Sequence, residues 1–92
     1  MKPQAIHFDS AFEKRWHKYL QGLTEEQKEH LKKRLAIFKE DVFDKRLKTH
    51  RLKGNLKDYY AFSISYSDRI VFRIIENSSV YFVAVGTHDV CY

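Results

Sequence analysis

Two periods of hydrophobic spacing divide the chain. Phe12, Trp16, Tyr19 and Leu20 return every three or four residues, the spacing of one buried helix face. Ser10, with Glu13 three positions on, fits a capping box at the start of that helix, and Gly22 sits where it would stop. A second start follows at Thr24 with Gln27. Glu25 and Glu26 fall in its first turn, where the helix dipole favours acids. Leu31, Leu35, Phe38 and Val42 mark its apolar stripe. The spacing predicts two amphipathic helices joined by a short connection, an α-hairpin.

From Tyr60 the period becomes two. Tyr60, Phe62, Ile64 and Tyr66 alternate with Ala61, Ser63 and Ser65, the pattern of a strand with one buried face. Ser65-Tyr66-Ser67-Asp68 can turn the chain, and Ile70, Phe72 and Ile74 then alternate with Arg69, Val71, Arg73 and Ile75. Asn77-Ser78-Ser79 makes a second turn into the run Val80–Val85. Links this short join antiparallel strands, because a parallel crossover needs a dozen or more residues. A weak alternation over residues 4–8 allows one further short strand. The predicted architecture is α+β: a small antiparallel sheet of about four strands, with the N-terminal helical hairpin packed on one face. If Ile70, Phe72 and Ile74 face the helices, Arg69 and Arg73 project from the opposite, uncovered face. Their planar guanidinium forks suit phosphate or carboxylate oxygens.

Ninety-two residues, with 43% hydrophobic and 15% aromatic content, suffice for one small domain over residues 1–92 and exclude global disorder. A single cysteine, Cys91, rules out an internal disulfide framework, and no apolar run approaches the roughly 18 residues of a membrane span. A cytoplasmic protein is expected. The net charge of +5 is concentrated between Lys28 and Lys57, where eleven Lys and Arg oppose four acids, a local +7 that leaves −2 for the rest. Such a surface attracts polyanions or an acidic protein partner.

Two segments carry candidate chemistry. Thr49-His50-Arg51-Leu52-Lys53-Gly54-Asn55-Leu56 sets a histidine among cations beside a glycine turn, with Lys48 and Lys57 flanking it. Gly86-Thr87-His88-Asp89-Val90-Cys91-Tyr92 places a histidine, an acid and a tyrosine directly after a strand. Histidine gives and takes protons near neutral pH, its reference pKa being about 6.5. His7, His17 and His30 read as ordinary helix or strand histidines. Cys91 has no evident activating base, and His50, His88, Asp89 and Cys91 match no standard zinc spacing.

In order, "His-x-Leu-x-Gly", an Arg-led hydrophobic strand at Arg69-Ile70-Val71-Phe72-Arg73, and "Gly-Thr-His" followed by the aromatic Tyr92 resemble the RelE/ParE superfamily of toxins from type II toxin–antitoxin systems. Within it, the pattern is most similar to the YafQ-type mRNA interferases. The resemblance spans nearly the whole chain. It implies a cytoplasmic, ribosome-dependent mRNA endoribonuclease that needs neither metal nor cofactor. The ribose 2′-hydroxyl would attack the adjacent phosphate and leave a 2′,3′-cyclic phosphate. His50 and His88 fall on the family's histidine positions as acid and base, Arg69 takes the cationic role, and Tyr92 matches the C-terminal aromatic. Lys48, Arg51, Lys53, Lys57 and Arg73 would bind RNA phosphates. The implied partners are a cognate antitoxin with an acidic wrapping segment, mRNA and the ribosome; DNA would be met only through the antitoxin. One position departs from the pattern: the family's histidine in the first long strand is Ser63 here, and a following aspartate falls on or beside Ser67 or Asp68. A gyrase-inhibiting toxin of the ParE type, or an inactive RNA-binding relative, would share the same fold.

Overall fold

The computed structural model describes residues 1–87, Leu56 by its backbone alone. Helix α1 spans Ser10–Gln21 and helix α2 spans Glu25–Glu40. The cap of α1 is Asp9 rather than Ser10. Its carboxylate accepts from the Phe12 N–H at 2.8 Å, and a carboxylate complements the positive helix end better than a hydroxyl does. Thr24 and Gln27 form the reciprocal capping box that the spacing predicts, with bonds of 2.9 and 3.1 Å. Gly22 ends α1 by donating to the Tyr19 carbonyl. No helix among the described residues is long and apolar enough to cross a membrane.

The sheet has five strands rather than about four. They are β1 (Ile6–Phe8), β2 (His50–Arg51), β3 (Tyr59–Ser63), β4 (Asp68–Ile75) and β5 (Ser79–Thr87), in the spatial order β1-β5-β4-β3-β2. The expected antiparallel meander is β3-β4-β5. Two short edge strands flank it. β2 pairs antiparallel with β3, and β1 pairs parallel with β5, so the sheet is mixed. β1 can run parallel because the helical hairpin and three strands separate it from β5, far more than a crossover needs. β2 lies within the basic segment and is too short to show a period.

The core forms where both helices meet one face of the sheet. Phe38 of α2 is fully buried at its centre, with ring centroids 4.3 Å from Phe62, 5.3 Å from Phe72 and 5.5 Å from Phe82. Phe12 of α1 closes on Phe82 at 5.8 Å. Emptying a site of this kind costs on the order of 3–5 kcal/mol for Phe→Ala. The opposite face is partly covered too: Leu52, just beyond β2, packs with Ala61 and Val71 in a second, smaller cluster that Val83 and Ala84 join. A bulge in β5 opposite Val71 and Phe72 makes this possible. Below it Phe82 faces the helices, and above it Val85 does, so Val83 and Ala84 both reach the other side. This explains why the run from Val80 to Val85 is apolar throughout.

The alternation extrapolated through Tyr66 fails there. β3 ends at Ser63, and Ile64–Ser67 turns instead: the Ile64 N–H donates to the Asp68 carbonyl at 3.1 Å, and Ser65 Oγ accepts from the Asp68 N–H at 3.1 Å. Ile64 keeps its buried place, whereas Tyr66 is 100% exposed.

Candidate functional site

The pairing of β3 and β4 sets Ser63 opposite Arg69, and Arg69 in turn lies opposite Gly86 of β5. These three residues form one row at the end of the sheet, on the face turned away from the core. Ser63 is 3% exposed. Arg69 is held by its own turn: Nη1 donates to the carbonyls of Asp68 at 3.1 Å, Ser65 at 3.3 Å and Tyr66 at 3.5 Å. The other side of the turn is tied to α1. The Tyr19 hydroxyl donates to the Asp68 carboxylate at 2.6 Å, and burial, reinforced by that acceptor, pushes the Tyr19 pKa well above its ordinary value.

Helix α2 brings a second set of groups to the same place. His30 and Arg34, one turn apart, share a helix flank beside the buried Leu31. Arg34 is anchored from behind, because Nη1 donates to the Arg46 carbonyl at 2.6 Å while its buried Nε has no hydrogen-bond partner among the described residues. Arg46 is fixed in its turn by two bonds from its guanidinium to Asp44, at 3.0 and 2.9 Å. Those bonds, with the Asp44 cap on the Arg46 N–H, hold the Asp44 carboxyl down at about 2. The 3₁₀ turn Lys45–Leu47 ends at Lys48, whose backbone is left-handed at φ 54° and carries the side chain round towards β3.

An open pocket of about 740 Å³ results. Arg34, Lys48 and Arg69 line it with three cations, His30 stands on its wall, and Ser63, Ser65 and Ser67 supply hydroxyls. Tyr66 and Thr87 complete the rim, and no acid among the described residues lines it. Three cations, two of them anchored by bonds to backbone carbonyls, suit a group with several anionic oxygens, above all a phosphate. His30 also borders a second hollow, which Tyr19, Glu26 and Asp68 line from the other side. Among the described residues no three His, Cys, Asp or Glu side chains cluster as metal ligands.

Residues 4–91 match the family model described as "Bacterial toxin of type II toxin-antitoxin system, YafQ". The chain belongs to that family. It is therefore the toxin component of a type II toxin–antitoxin system. Solved structures show the same fold. A YoeB/ParE toxin from Agrobacterium tumefaciens superposes with a TM-score of 0.71 at 15% identity, covering 92% of this chain and 99% of that one. YafQ from E. coli strain BL21(DE3) does so with a TM-score of 0.68 at 16% identity, over 95% and 96% of the two chains. The toxin in the E. coli DinJ–YafQ toxin–antitoxin complex gives 0.63 at 14% identity, over 100% and 99%. A comparison with curated proteins finds no significant match. The α+β architecture with a helical hairpin on one sheet face is that of RelE-type toxins.

The pocket of this toxin gathers only some of the residues singled out by sequence. Arg69 and Lys48 line it. His50 does not: it is exposed on β2 opposite Ala61, one row along the same face, with Nδ1 3.1 Å from the Lys48 carbonyl. Rows two residues apart stand roughly 6.8 Å apart, so His50 overlooks the pocket from beyond Lys48. Arg51, pairing with Tyr60, has the opposite parity; its Nε donates to the Lys57 carbonyl at 2.6 Å and its guanidinium lies 4.0 Å from Asp58. Lys53 and Lys57 flank the 3₁₀ turn Gly54–Leu56 away from the pocket; Gly54, at φ 69°, supplies the left-handed backbone there. Arg73 shares the face of Arg69 but lies four residues along β4, over the Tyr59 ring with 5.6 Å to the centroid. His88 and Tyr92 lie outside the described residues, as do Asp89 and Cys91.

His30, read from sequence as an ordinary helix histidine, and Arg34, read only as part of the basic window, also line the pocket. The signal was faint: two polar positions four apart, next to an apolar stripe. Asp68, a candidate for the family's aspartate, is turned to Tyr19 instead of into the pocket.

Proposed function

We propose that this toxin is an mRNA endoribonuclease that acts in the ribosomal A site without a metal ion. The observation that carries the reading is the meeting of Arg34, Lys48 and Arg69 in one pocket with no acid among its described lining residues, in a chain of the YafQ family. The scissile phosphate sits among these cations. The ribose 2′-oxygen forms a bond to phosphorus as the bond to the 5′-oxygen breaks. A base takes the 2′-hydroxyl proton and an acid protonates the departing oxygen, leaving a 2′,3′-cyclic phosphate and a 5′-hydroxyl. The cations stabilise the charge that builds on the equatorial oxygens. His50 and His88 are acid/base candidates by sequence resemblance, and Tyr92 is the candidate to orient or stack on a nucleobase. Lys53, Lys57, Arg51 and Arg73 extend the basic surface along the RNA backbone, where their charge steers rather than reacts.

A cognate antitoxin is the expected protein partner, as DinJ is for E. coli YafQ. An acidic antitoxin segment laid across Lys48 and Arg69 would neutralise the pocket by charge complementarity. Ser63 favours a second reading, a relative that binds RNA but turns over slowly or not at all, since a serine cannot act as general acid or base at neutral pH.

The test is primer-extension mapping of cellular mRNA after induction of the wild type, Arg69→Ala and His88→Ala. In-frame cuts that depend on translation and fade in both variants support the nuclease. Growth arrest without cuts moves the target to gyrase or elsewhere. Ribosome association without cuts identifies the binding-only relative.

A further inference from the structure

The pocket has three cations and hydroxyls but, on its β3 floor, no group able to move a proton: the buried residue facing Arg69 is Ser63. Its described lining contains one imidazole, that of His30, and it comes from helix α2 instead of the sheet. We propose that His30 is a proton-transferring catalytic residue of this toxin, delivered from α2 into the space that Ser63 leaves open, with Arg34 one turn behind it holding the same phosphate. The proposal rests on the nuclease reading above.

Three features place His30 in this role. First, His30 and Arg34 occupy the flank of α2 that faces the β3–β4 turn, because Leu31 and Phe38 fix the rotation of the helix by burying their side chains. The imidazole thus lines the pocket from α2, while Ser63 and Arg69 line it from the sheet. Second, Arg34 is prevented from swinging away by the Arg46 carbonyl, so the pair presents a proton carrier and a preset cation together. A base and an electrostatic clamp acting on one phosphate are the two components that the 2′-hydroxyl attack requires. Third, the groups around His30 leave it free. It is exposed and makes no hydrogen bond among the described residues, and Asp68, the nearest strand acid on that side, is engaged by Tyr19. The charged and titratable groups facing it are Glu26 and Arg34 from α2, Tyr19 from α1, Lys48 after the 3₁₀ turn, and Asp68 and Arg69 from β4. Cations outnumber acids among the described groups on the pocket side, the arrangement that holds a phosphate within reach of the imidazole.

The experiment has two readouts on the full chain. The His30 ring resonances are followed by NMR as an uncleavable 2′-deoxy oligonucleotide is added. Single-turnover cleavage on mRNA-programmed ribosomes is then measured against pH for the wild type and His30→Gln. Glutamine suits an exposed helix position, so the fold should be retained, as thermal unfolding will check. The expected result is a shift of the His30 ring on oligonucleotide binding. In His30→Gln the cleavage rate should fall about 10²-fold or more, with one limb of the pH profile lost and KM nearly unchanged. A silent His30 ring overturns the proposal, as does a wild type that cuts while His30→Gln cuts equally fast with the same pH profile. A wild type that binds through His30 but cuts nothing overturns the nuclease reading, and the proton transfer with it.

Discussion

The Tyr19 hydroxyl and the Asp68 carboxylate meet at 2.6 Å across 49 residues of sequence, joining helix α1 to the start of strand β4. Asp68 also opens the strand that carries Arg69, and its backbone closes the Ile64–Ser67 turn. One hydrogen bond therefore couples the helical hairpin to the rim of the pocket. A bond to a charged acceptor contributes about 1.5–3 kcal/mol, and the partner left behind bears much of the loss. We expect Tyr19→Phe to lower the unfolding free energy by about 1–2 kcal/mol at pH 7, measured by urea denaturation. The sign of the pH effect follows from the raised pKa. The folded state holds the phenol proton more tightly than the unfolded state does, so the stabilisation is complete below about pH 10, the ordinary tyrosine value, and is lost as pH rises above it. Wild-type stability should fall through this alkaline range more steeply than that of Tyr19→Phe.

Arg69 has two tasks, and they separate in different variants. Its Nη1 gathers three carbonyls of the turn, while the guanidinium as a whole lines the pocket. Arg69→Ala should lose roughly 10²–10³ in cleavage, the usual effect of removing one preorganised transition-state donor, with a loss of about 1 kcal/mol or more in stability from the freed carbonyls. Arg69→Lys keeps the charge but not the fork, so cleavage should recover only partly. Single-turnover rates and denaturant midpoints for both variants check this. A rate that tracks stability alone would make Arg69 a turn clamp and nothing more.

Tyr66 stands fully exposed at the tip of the turn, on the pocket rim, where no packing explains an aromatic ring. Stacking on one base contributes about 1–3 kcal/mol to single-strand binding. Tyr66→Ala should therefore weaken RNA affinity at least several-fold and leave the unfolding midpoint unchanged, because the ring buries nothing in the free protein. Fluorescence anisotropy with a short oligoribonucleotide measures the first quantity. Equal affinities in wild type and variant would refute the stacking role.

The fold was largely legible because its signals are local. The Thr24–Gln27 box, the stop at Gly22 and the alternation of Ile70, Phe72 and Ile74 each depend on residues within a few positions of one another. The same parity placed Arg69 on the face away from the core. What escaped notice depends on how distant elements meet. The approach of His30 and Arg34 to the β3–β4 turn follows from how α2 sits on the sheet, which no spacing within α2 reveals. The parallel pairing of β1 with β5 joins residues more than 70 positions apart, such as Ile6 and Val80. The Ser65–Asp68 turn, by contrast, was legible in its residue types, and Tyr66 leaves the alternation because it sits inside that turn.

Ser63 offers the sharpest way to divide the roles of strand and helix. It is buried at the floor of the pocket, directly opposite Arg69, yet the pocket above it is open. An imidazole at this position can extend into that space instead of into packed core, so Ser63→His should cost no more than about 1–3 kcal/mol. It would restore to β3 the histidine that the family pattern carries there. If His30 stands in for that group, Ser63→His should rescue most of the cleavage lost in His30→Gln, whereas in the wild-type background the gain should be small. The comparison requires four proteins, wild type, both single variants and the double, assayed under single-turnover conditions. A non-additive gain in the double variant is the signature of two imidazoles serving one proton transfer. Equal gains in both backgrounds would mean that His30 and position 63 act independently.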